Sequence, residues 1–414
     1  MATRVIDHTF TLDDQAENRY QLVGFEVPSG ARSLGVSIEV IGEDAVVDLG
    51  CQGPLGWRGW SGGARTGYVI EAGSATPGYL PGEPEPGEWH VVLGLHKVPT
   101  DGVRIRLEVS VPAARPAYIE ESAPVQLREV HGSERELPAD RGLTWYAGDL
   151  HAHTVHSDGA QSIDQLAARG VRSGLDFLAV TDHNTTSHHQ HLPGISARQG
   201  ISLLPGQEVT THRGHANAFG DIGFIDFRTP GADWLAETGR RGGLCSINHP
   251  LTDDCAWQHP LPAPPAAIEL WHISWFGDLA NTGPWAYLSA VGGAPVLLGG
   301  SDFHHPGDSW TLGTPTTWVA AEDPTPDAIL AAMTAGRTAI SIGVRPDATP
   351  DPMSTPLLLR VDDEVVAVDA TGTILVDRDG RRRRVPAAQS TVGGWGRGPY
   401  HLEDGDRRVL AIAR

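Results

Sequence analysis

Lysine is almost missing from this chain: Lys97 stands alone, so 30 of the 31 basic residues are arginine. Any chemistry that needs a lysine beyond position 97 is excluded. Cysteine is scarce too. Cys51, Cys245 and Cys255 are odd in number and far from a CxxC spacing, which fits a reducing cytoplasm better than a disulfide scaffold. No run of about 18 apolar residues occurs, so no membrane span is expected. The opening MATRVIDHTF lacks the charged start and apolar run of a secretory signal. A cytoplasmic location is the expectation. Positive charge is short, and the net charge of -20 disfavours nucleic acid as a partner, because no basic face could balance the phosphates. The acidity is read as serving solubility. No internal repeat or low-complexity tract stands out.

What is present is long and turn-rich. A chain of 414 residues exceeds one ordinary core, and 50 Gly with 31 Pro favour short strands and many turns. Three segments differ in character. Residues 1–140 read as all-β: ARSLGVSIEVIG, AVVDLGC, TGYVIEAG, EWHVVLGLHKV and GVRIRLEVSV are Val- and Ile-rich runs bounded by Gly, Pro or Asp, the pattern of a sandwich or barrel. PGYLPGEPEPGEW reads as a Pro-rich connection and ESAPVQLREVHGSERELPADRG as a linker. Residues 141–345 alternate apolar strands with helix-like stretches such as SIDQLAARGVRSG, GADWLAETGRRGG and TPDAILAAMTAGR. Repeated βα units imply a parallel sheet, open or closed into a barrel. Residues 346–414 are β-like again. PLLLRVDDEVVAVDATGTILVDRDG reads as a hairpin with a DG turn, and RRRR at 381–384 as a solvated edge.

Histidine and carboxylates concentrate in the middle segment. GDLHAHTVHSDG supplies His151, His153 and Asp158, and TDHN supplies His183. GQEVTTHRGHAN supplies Glu208 and His215, SINHP supplies Asn248 and His249, and GGSDFHH supplies Ser301, Asp302, His304 and His305. Of 19 histidines, 14 fall within residues 151–305, about twice what even spreading would place there. His151 and His153 are two apart at a strand end, so both face the same side, and Asp302 with His304 repeats that spacing. Satisfied polar residues at strand ends are the bland alternative, but the number and order of the motifs weigh against it. His, Asp and Glu are the donors that borderline divalent metals prefer. Nine of them can hold two or three ions, which points to a multinuclear metallohydrolase. Nearly every candidate sits at the C-terminal end of a strand, where barrel enzymes place their sites.

The order HxHxxxxDG, TDH, a lone Glu, GH, NHP and SDxH resembles the polymerase-and-histidinol-phosphatase (PHP) superfamily. The resemblance implies a distorted (β/α)7 barrel binding up to three metals. GPLGWRGWSGGARTGYVI and SATPGYLPGEPEPGEWHVVLG resemble the β-sandwich fused to such barrels in the carbaryl-hydrolase-like (CehA/McbA) branch. The implied fold is multidomain, α/β plus all-β: a sandwich over 1–140, a PHP barrel over 141–345 and a small β segment over 346–414. The implied ligand sets are His151, His153, Glu208 and Asp302 for one ion; Glu208, His215 and His249 for a second; and Asp158, His183 and His304 for a third. Asp158 stands where some members carry His. The amidohydrolase superfamily also opens with HxH, but its binuclear members often bridge their metals with a carbamylated lysine. Lys97 precedes HxH, so Glu208 is the fitting bridge.

Three divalent ions bring about +6; Glu208, Asp302, Asp158 and one hydroxide leave about +2. A water bridging two metals ionises near pH ~7 and is the expected nucleophile. Residual positive charge suits a phosphate ester and its transition state. The expected function is metal-dependent phosphoester hydrolysis of a small molecule with two or three Zn, Mn or Fe ions. Carbamate, ester or amide hydrolysis of the carbaryl-hydrolase type is the alternative. A non-enzymatic binding module on a degraded barrel is a third reading, opposed by the intact ligand set. His272, Arg213 and His156 are the candidates for proton transfer or phosphate clamping, with His212 and His305 beside the motifs. Trp271, Trp275 and Trp310 read as pocket or core. His188, His189 and His191 read as a solvated loop cluster, and Trp57, Trp60 and Arg65 as holding the sandwich together.

Overall fold

VRIRLEVSV alternates apolar with charged residues, and it forms a strand in which Val103, Ile105, Leu107 and Val109 are buried while Arg104, Arg106 and Glu108 are exposed. A pleat presents successive side chains to opposite faces, so this spacing turns one face of the strand to a core. The computed structural model of the chain describes residues 2–126, 130–308, 310–343, 351, 354–392 and 396–414. The expected segment boundary at 345–346 and part of the expected linker lie outside the described residues. Two compact units emerge. The first is Met1–Glu121 with Thr154–Ser162 and Asp182–Gln190; the second is Ser122–His153, Ile163–Thr181 and His191–Arg414.

In the first unit, β1 (Ala2–Phe10), β2 (Tyr20–Val27), β3 (Ser33–Ile41), β4 (Val46–Gly53), β5 (Gly56–Gly62), β6 (Gly67–Glu71), β7 (Gly87–Lys97) and β8 (Val103–Val111) build two four-stranded sheets. Their orders are β1-β8-β3-β6 and β2-β7-β4-β5, with every ladder antiparallel. Leu34, Val36, Ile105 and Leu107 of one sheet share a core with Leu49, Trp89, Val91 and Leu93 of the other, so the two inner faces pack on each other. A short helix, α1 (Leu12–Glu17), starts at a capping box in which Thr11 and Asp14 satisfy each other's backbone N–H.

The second unit carries the alternating segment. Its strands are β9 (Thr144–Asp149), β10 (Phe177–Val180), β11 (Ser202–Thr211), β12 (Gly214–Phe219), β13 (Leu244–Ile247), β14 (Ala267–His272), β15 (Val296–Gly300), β16 (Thr316–Ala321) and β17 (Thr338–Ser341). The helices are α2 (Ile163–Arg172), α3 (Leu192–Gln199), α4 (Gly231–Arg240), α5 (Gly283–Val291) and α6 (Pro326–Thr334). In α2 the buried Ile163, Leu166, Ala167, Gly170 and Val171 follow the helical period, with Asp164 in the first turn and Arg169 and Arg172 in the last, matching the helix dipole. α6 starts where Thr325 caps Ala328 N–H and Pro326 fills the first helical position.

The expected run of βα units holds only in part. β9-β10-β11 and β13-β14-β15 are parallel, but β12 folds back on β11 as a hairpin and pairs antiparallel with β13 as well. Nor does the ladder close into a barrel. β15 ends one edge of a 13-stranded sheet, and among the described residues no ladder joins it to β16 or β17. One parallel backbone bridge, Ala152 with Phe303, joins the segment after β15 to the segment after β9, and side chains join β15 to β16 and β17. Thr317 Oγ1 accepts from Gly299 N–H at 2.9 Å and donates to Gly299 O at 2.8 Å, and Thr338 Oγ1 donates to Leu297 O at 3.0 Å. Two threonine hydroxyls thereby satisfy backbone groups that a closing strand would have paired.

The C-terminal strands are β18 (Leu357–Val361), β19 (Glu364–Val368), β20 (Ile374–Val376), β21 (Arg382–Arg384), β22 (Gln389–Val392), β23 (Tyr400–Glu403) and β24 (Val409–Ala413). β24 pairs with β17, so part of this segment extends the large sheet. The hairpin β18–β19 turns on Asp362 and Asp363, both at positive φ (47° and 63°), as a two-residue turn of the favoured hand requires. Asp379 and Gly380 turn between β20 and β21 instead. Arg381–Arg384 are exposed, with Arg382 paired to Glu403 at 2.7 Å. No helix among the described residues is long and apolar enough to cross a membrane.

Candidate metal centre

Strand ends of the second unit converge on two carboxylates, the buried Glu208 and the half-buried Asp302. His151 and His153 follow β9, Glu208 lies in β11, His215 begins β12, His249 follows β13, and Asp302 and His304 follow β15. Glu208 Oε1 is the hub. It lies 3.2 Å from His151 Nε2, 3.2 Å from His215 Nδ1 and 3.3 Å from His249 Nε2, and it accepts from Asn248 Nδ2 at 2.8 Å. Asp302 Oδ1 lies 3.2 Å from His151 Nε2 and 3.0 Å from His153 Nε2. The rings of His153 and His304 stack at 4.1 Å.

The donor set fits a divalent cation. His151 Nδ1 lies 2.9 Å from the Glu269 carboxylate, a group that can only accept when ionised. Nδ1 therefore carries the ring proton, and the lone pair on Nε2 points at two carboxylate oxygens. His151 Nε2 is fully buried and completes no well-formed hydrogen bond there. Facing lone pairs repel unless a cation sits among them. Without an ion, only protons can play that part. Burial opposes a charged His151, but Asp302, Glu269 and Glu208 outweigh it and pull its pKa well above the usual histidine value. Burial likewise opposes an ionised Asp302, yet His151, His153 and His272 hold it well below the usual carboxylate range.

The first unit holds the remaining candidates. Asp158 Oδ2 lies 3.6 Å from His183 Nε2. Their loops are tied by Asp182, which accepts from Thr154 N–H at 2.9 Å, Thr154 Oγ1 at 2.7 Å and Ser157 Oγ at 2.7 Å. His156 bridges Glu120 Oε1 at 2.7 Å and Ser187 Oγ at 2.6 Å. His188 corrects an expectation: it is fully buried, with Nδ1 3.4 Å from Asp182, while His191 is exposed.

The other polar candidates are engaged. His272 Nδ1 accepts the Ser274 backbone N–H at 3.1 Å, leaving its proton on Nε2, which faces Asp302 Oδ2 at 3.2 Å. Arg213 is exposed in the β11–β12 turn and donates to Gln258 O at 2.8 Å. His305 is exposed and accepts from Gly307 N–H, and His212 is exposed in the same turn as Arg213. Trp271 and Trp275 are buried in an apolar cluster against which Trp310 packs. Arg65 donates to Pro77 O and Val155 O within the first unit.

Two acidic residues beside His151 also escaped the sequence reading. Asp149 is fully buried and accepts the backbone N–H of His151, Ser301 and Gly313 at 3.1, 3.0 and 2.7 Å, which ties the end of β9 to the end of β15. Glu269 takes His151 on one oxygen and the His249 N–H, at 2.9 Å, on the other. Burial pushes Glu269 up, but His151 and the neighbouring histidines bring it below its ordinary value. Glu269 and His272 are three apart and would face opposite sides of a regular strand. A register shift between Glu269 and Trp271 lets both turn to the site. A lone charge inside the apolar run AAIELWH was the available signal.

No protein-family model matches the chain. Short stretches match curated proteins. The chain is 38% identical over 65 residues to the 5'-3' exoribonuclease Rnm of Escherichia coli, covering 15% of this chain and 22% of that protein. It is 36% identical over 66 residues to the 3',5'-nucleoside bisphosphate phosphatase of Chromobacterium violaceum, covering 16% and 23%. The chain thus spans about a fifth of the length of the curated relatives it matches. Among solved structures, a two-domain protein of Bacteroides vulgatus containing a predicted PHP-like metal-dependent phosphoesterase aligns with TM-score 0.40 and 19% identity, over 70% of this chain and 92% of that one.

Proposed function

We propose that the chain is a PHP-type metal-dependent hydrolase that cleaves a small phosphate ester. One observation carries the reading: a single oxygen of Glu208 lies within 3.3 Å of nitrogens of His151, His215 and His249. In this reading one carboxylate serves two ligand sets, His151–His153–Glu208–Asp302 and Glu208–His215–His249. The third set, Asp158, His183 and His304, rests on the family resemblance and on the pairing of Asp158 with His183. The matches to a ribonuclease and a bisphosphate phosphatase support phosphate as the substrate group.

Divalent ions held there would supply Lewis acidity and a water acidic enough to ionise near neutral pH. The protein's own part is positional. Glu208 and Asp302 set the spacing of the histidines, and Asp149 and Glu269 hold the strand ends that carry them. His272 orients Asp302. The three-segment division, the distorted (β/α)7 barrel with its N-terminal sandwich, the carbaryl-hydrolase-like branch and a cytoplasmic setting belong to the same proposal. Three free cysteines support the last of these. Carbonyl hydrolysis stays as a second reading because the Arg213 guanidinium is engaged with Gln258 O, which weakens its claim as a phosphate clamp.

The deciding experiment pairs aryl substrates on the metal-reconstituted protein: a phosphomonoester, a phosphodiester and a methylcarbamate, with bound metal counted in the same sample. Phosphate release that disappears in His151→Ala is the expected result. Cleavage of the carbamate alone would overturn the phosphoesterase reading in favour of the second one.

A further inference from the structure

Glu269 uses one carboxylate on two different ligand sets. Its Oε1 lies 2.9 Å from His151 Nδ1, and its Oε2 accepts the backbone N–H of His249 at 2.9 Å. His151 and Glu269 are both buried. His249 adopts a positive φ of 25°, a conformation that disfavours any residue but glycine, so its backbone needs an external hold. Position 300 has adapted to the pair: a Cβ on Gly300 would overlap both Glu269 Oε1 and His151 Cβ.

We infer that Glu269 is the positioning residue of the metal centre: it keeps the ring proton of His151 on Nδ1, so that Nε2 is free to ligate, and it anchors the backbone of His249. This rests on the metal reading above. Glutamine is the informative replacement because it keeps the shape and changes the donor pattern. Its amide offers one acceptor and one donor where the carboxylate offers two acceptors. If the amide oxygen takes the His249 N–H, the NH2 group faces His151 Nδ1, which must then accept. The ring proton moves to Nε2 and blocks the atom that faces Glu208 and Asp302. If the amide is turned the other way, two donors meet at His249 and its strained backbone is released. Either arrangement damages one ligand set.

The test measures zinc binding to the full chain by competition with a chromophoric chelator, alongside the thermal midpoint of the metal-free protein. Glu269→Gln is expected to weaken zinc binding about 10- to 100-fold, the usual cost of an outer partner of a ligating histidine, and the metal-free midpoint checks that the variant compared is folded. A second measurement needs no variant. Long-range proton–nitrogen NMR on histidine-labelled, zinc-loaded wild type should show His151, assigned by its loss in His151→Ala, protonated on Nδ1. A variant that binds zinc as tightly as wild type, or a His151 protonated on Nε2, overturns this inference and leaves the metal reading standing. A wild-type chain that holds no zinc overturns both.

Discussion

His272 presents its Nε2–H to Asp302 Oδ2 at 3.2 Å, because its other ring nitrogen already accepts the Ser274 backbone N–H. This places it as an orienter of a metal-ligand candidate. His272→Ala should lower turnover about 10- to 100-fold, and by the same factor for aryl substrates with good and poor leaving groups. Comparing kcat/KM across such a series checks this. A loss confined to poor leaving groups would instead assign His272 to leaving-group protonation.

His151→Ala and Asp302→Ala should abolish turnover, exceeding the ~10–100-fold loss of an outer partner, while circular dichroism stays near wild type. Dialysis against a chelator should inactivate reversibly. Zinc at about 100 times its Kd should stabilise the fold by about 2.7 kcal/mol, read as a rise in thermal midpoint. An unchanged midpoint and a near-wild-type rate in Asp302→Ala would remove the assignment.

Asp158 pairs with His183 at 3.6 Å, and the family resemblance assigns it to the third ligand set rather than to the two that share Glu208. Asp158→Ala should therefore release at most one ion per chain and leave measurable turnover. Metal analysis of the purified variant decides the point, and loss of every ion would contradict an auxiliary role.

Asp48, half-buried on β4, has its carboxyl pushed up from 3.8 to about 6 by burial, which His96 and Arg19 offset only in part. A raised carboxyl pKa means that the folded state binds the extra proton. Its favourable contribution is present below about pH 4 and is lost as pH rises to about 6. Asp48→Asn should therefore be more stable than wild type at pH 7 and nearly equal to it at pH 4. Urea unfolding at the two pH values measures the difference.

Much of this was legible locally. The Val- and Ile-rich run GVRIRLEVSV marked β8, and the helix-like stretches SIDQLAARGVRSG and TPDAILAAMTAGR marked α2 and α6. Other features were not. The hairpin β11–β12 hid inside what reads as βα units, because a parallel and an antiparallel buried strand share the same apolar run. The way the β15 edge is joined could not be foreseen either, since side chains of Thr317 and Thr338 and a single backbone bridge between Ala152 and Phe303 do it in place of a ladder.

The identity of the metal-ligand candidates was written in the sequence, because ligand chemistry belongs to the residue type and i, i+2 spacing puts neighbours on one face. Their convergence was decided only by the tertiary structure. Glu269 and His151 are 118 positions apart, and nothing local says that they meet. The register shift in β14 turns Glu269 inward, and Gly300 leaves the space it fills. Which ring nitrogen faces the centre depends on that distant contact, because a histidine's tautomer is set by the hydrogen bond its other nitrogen makes.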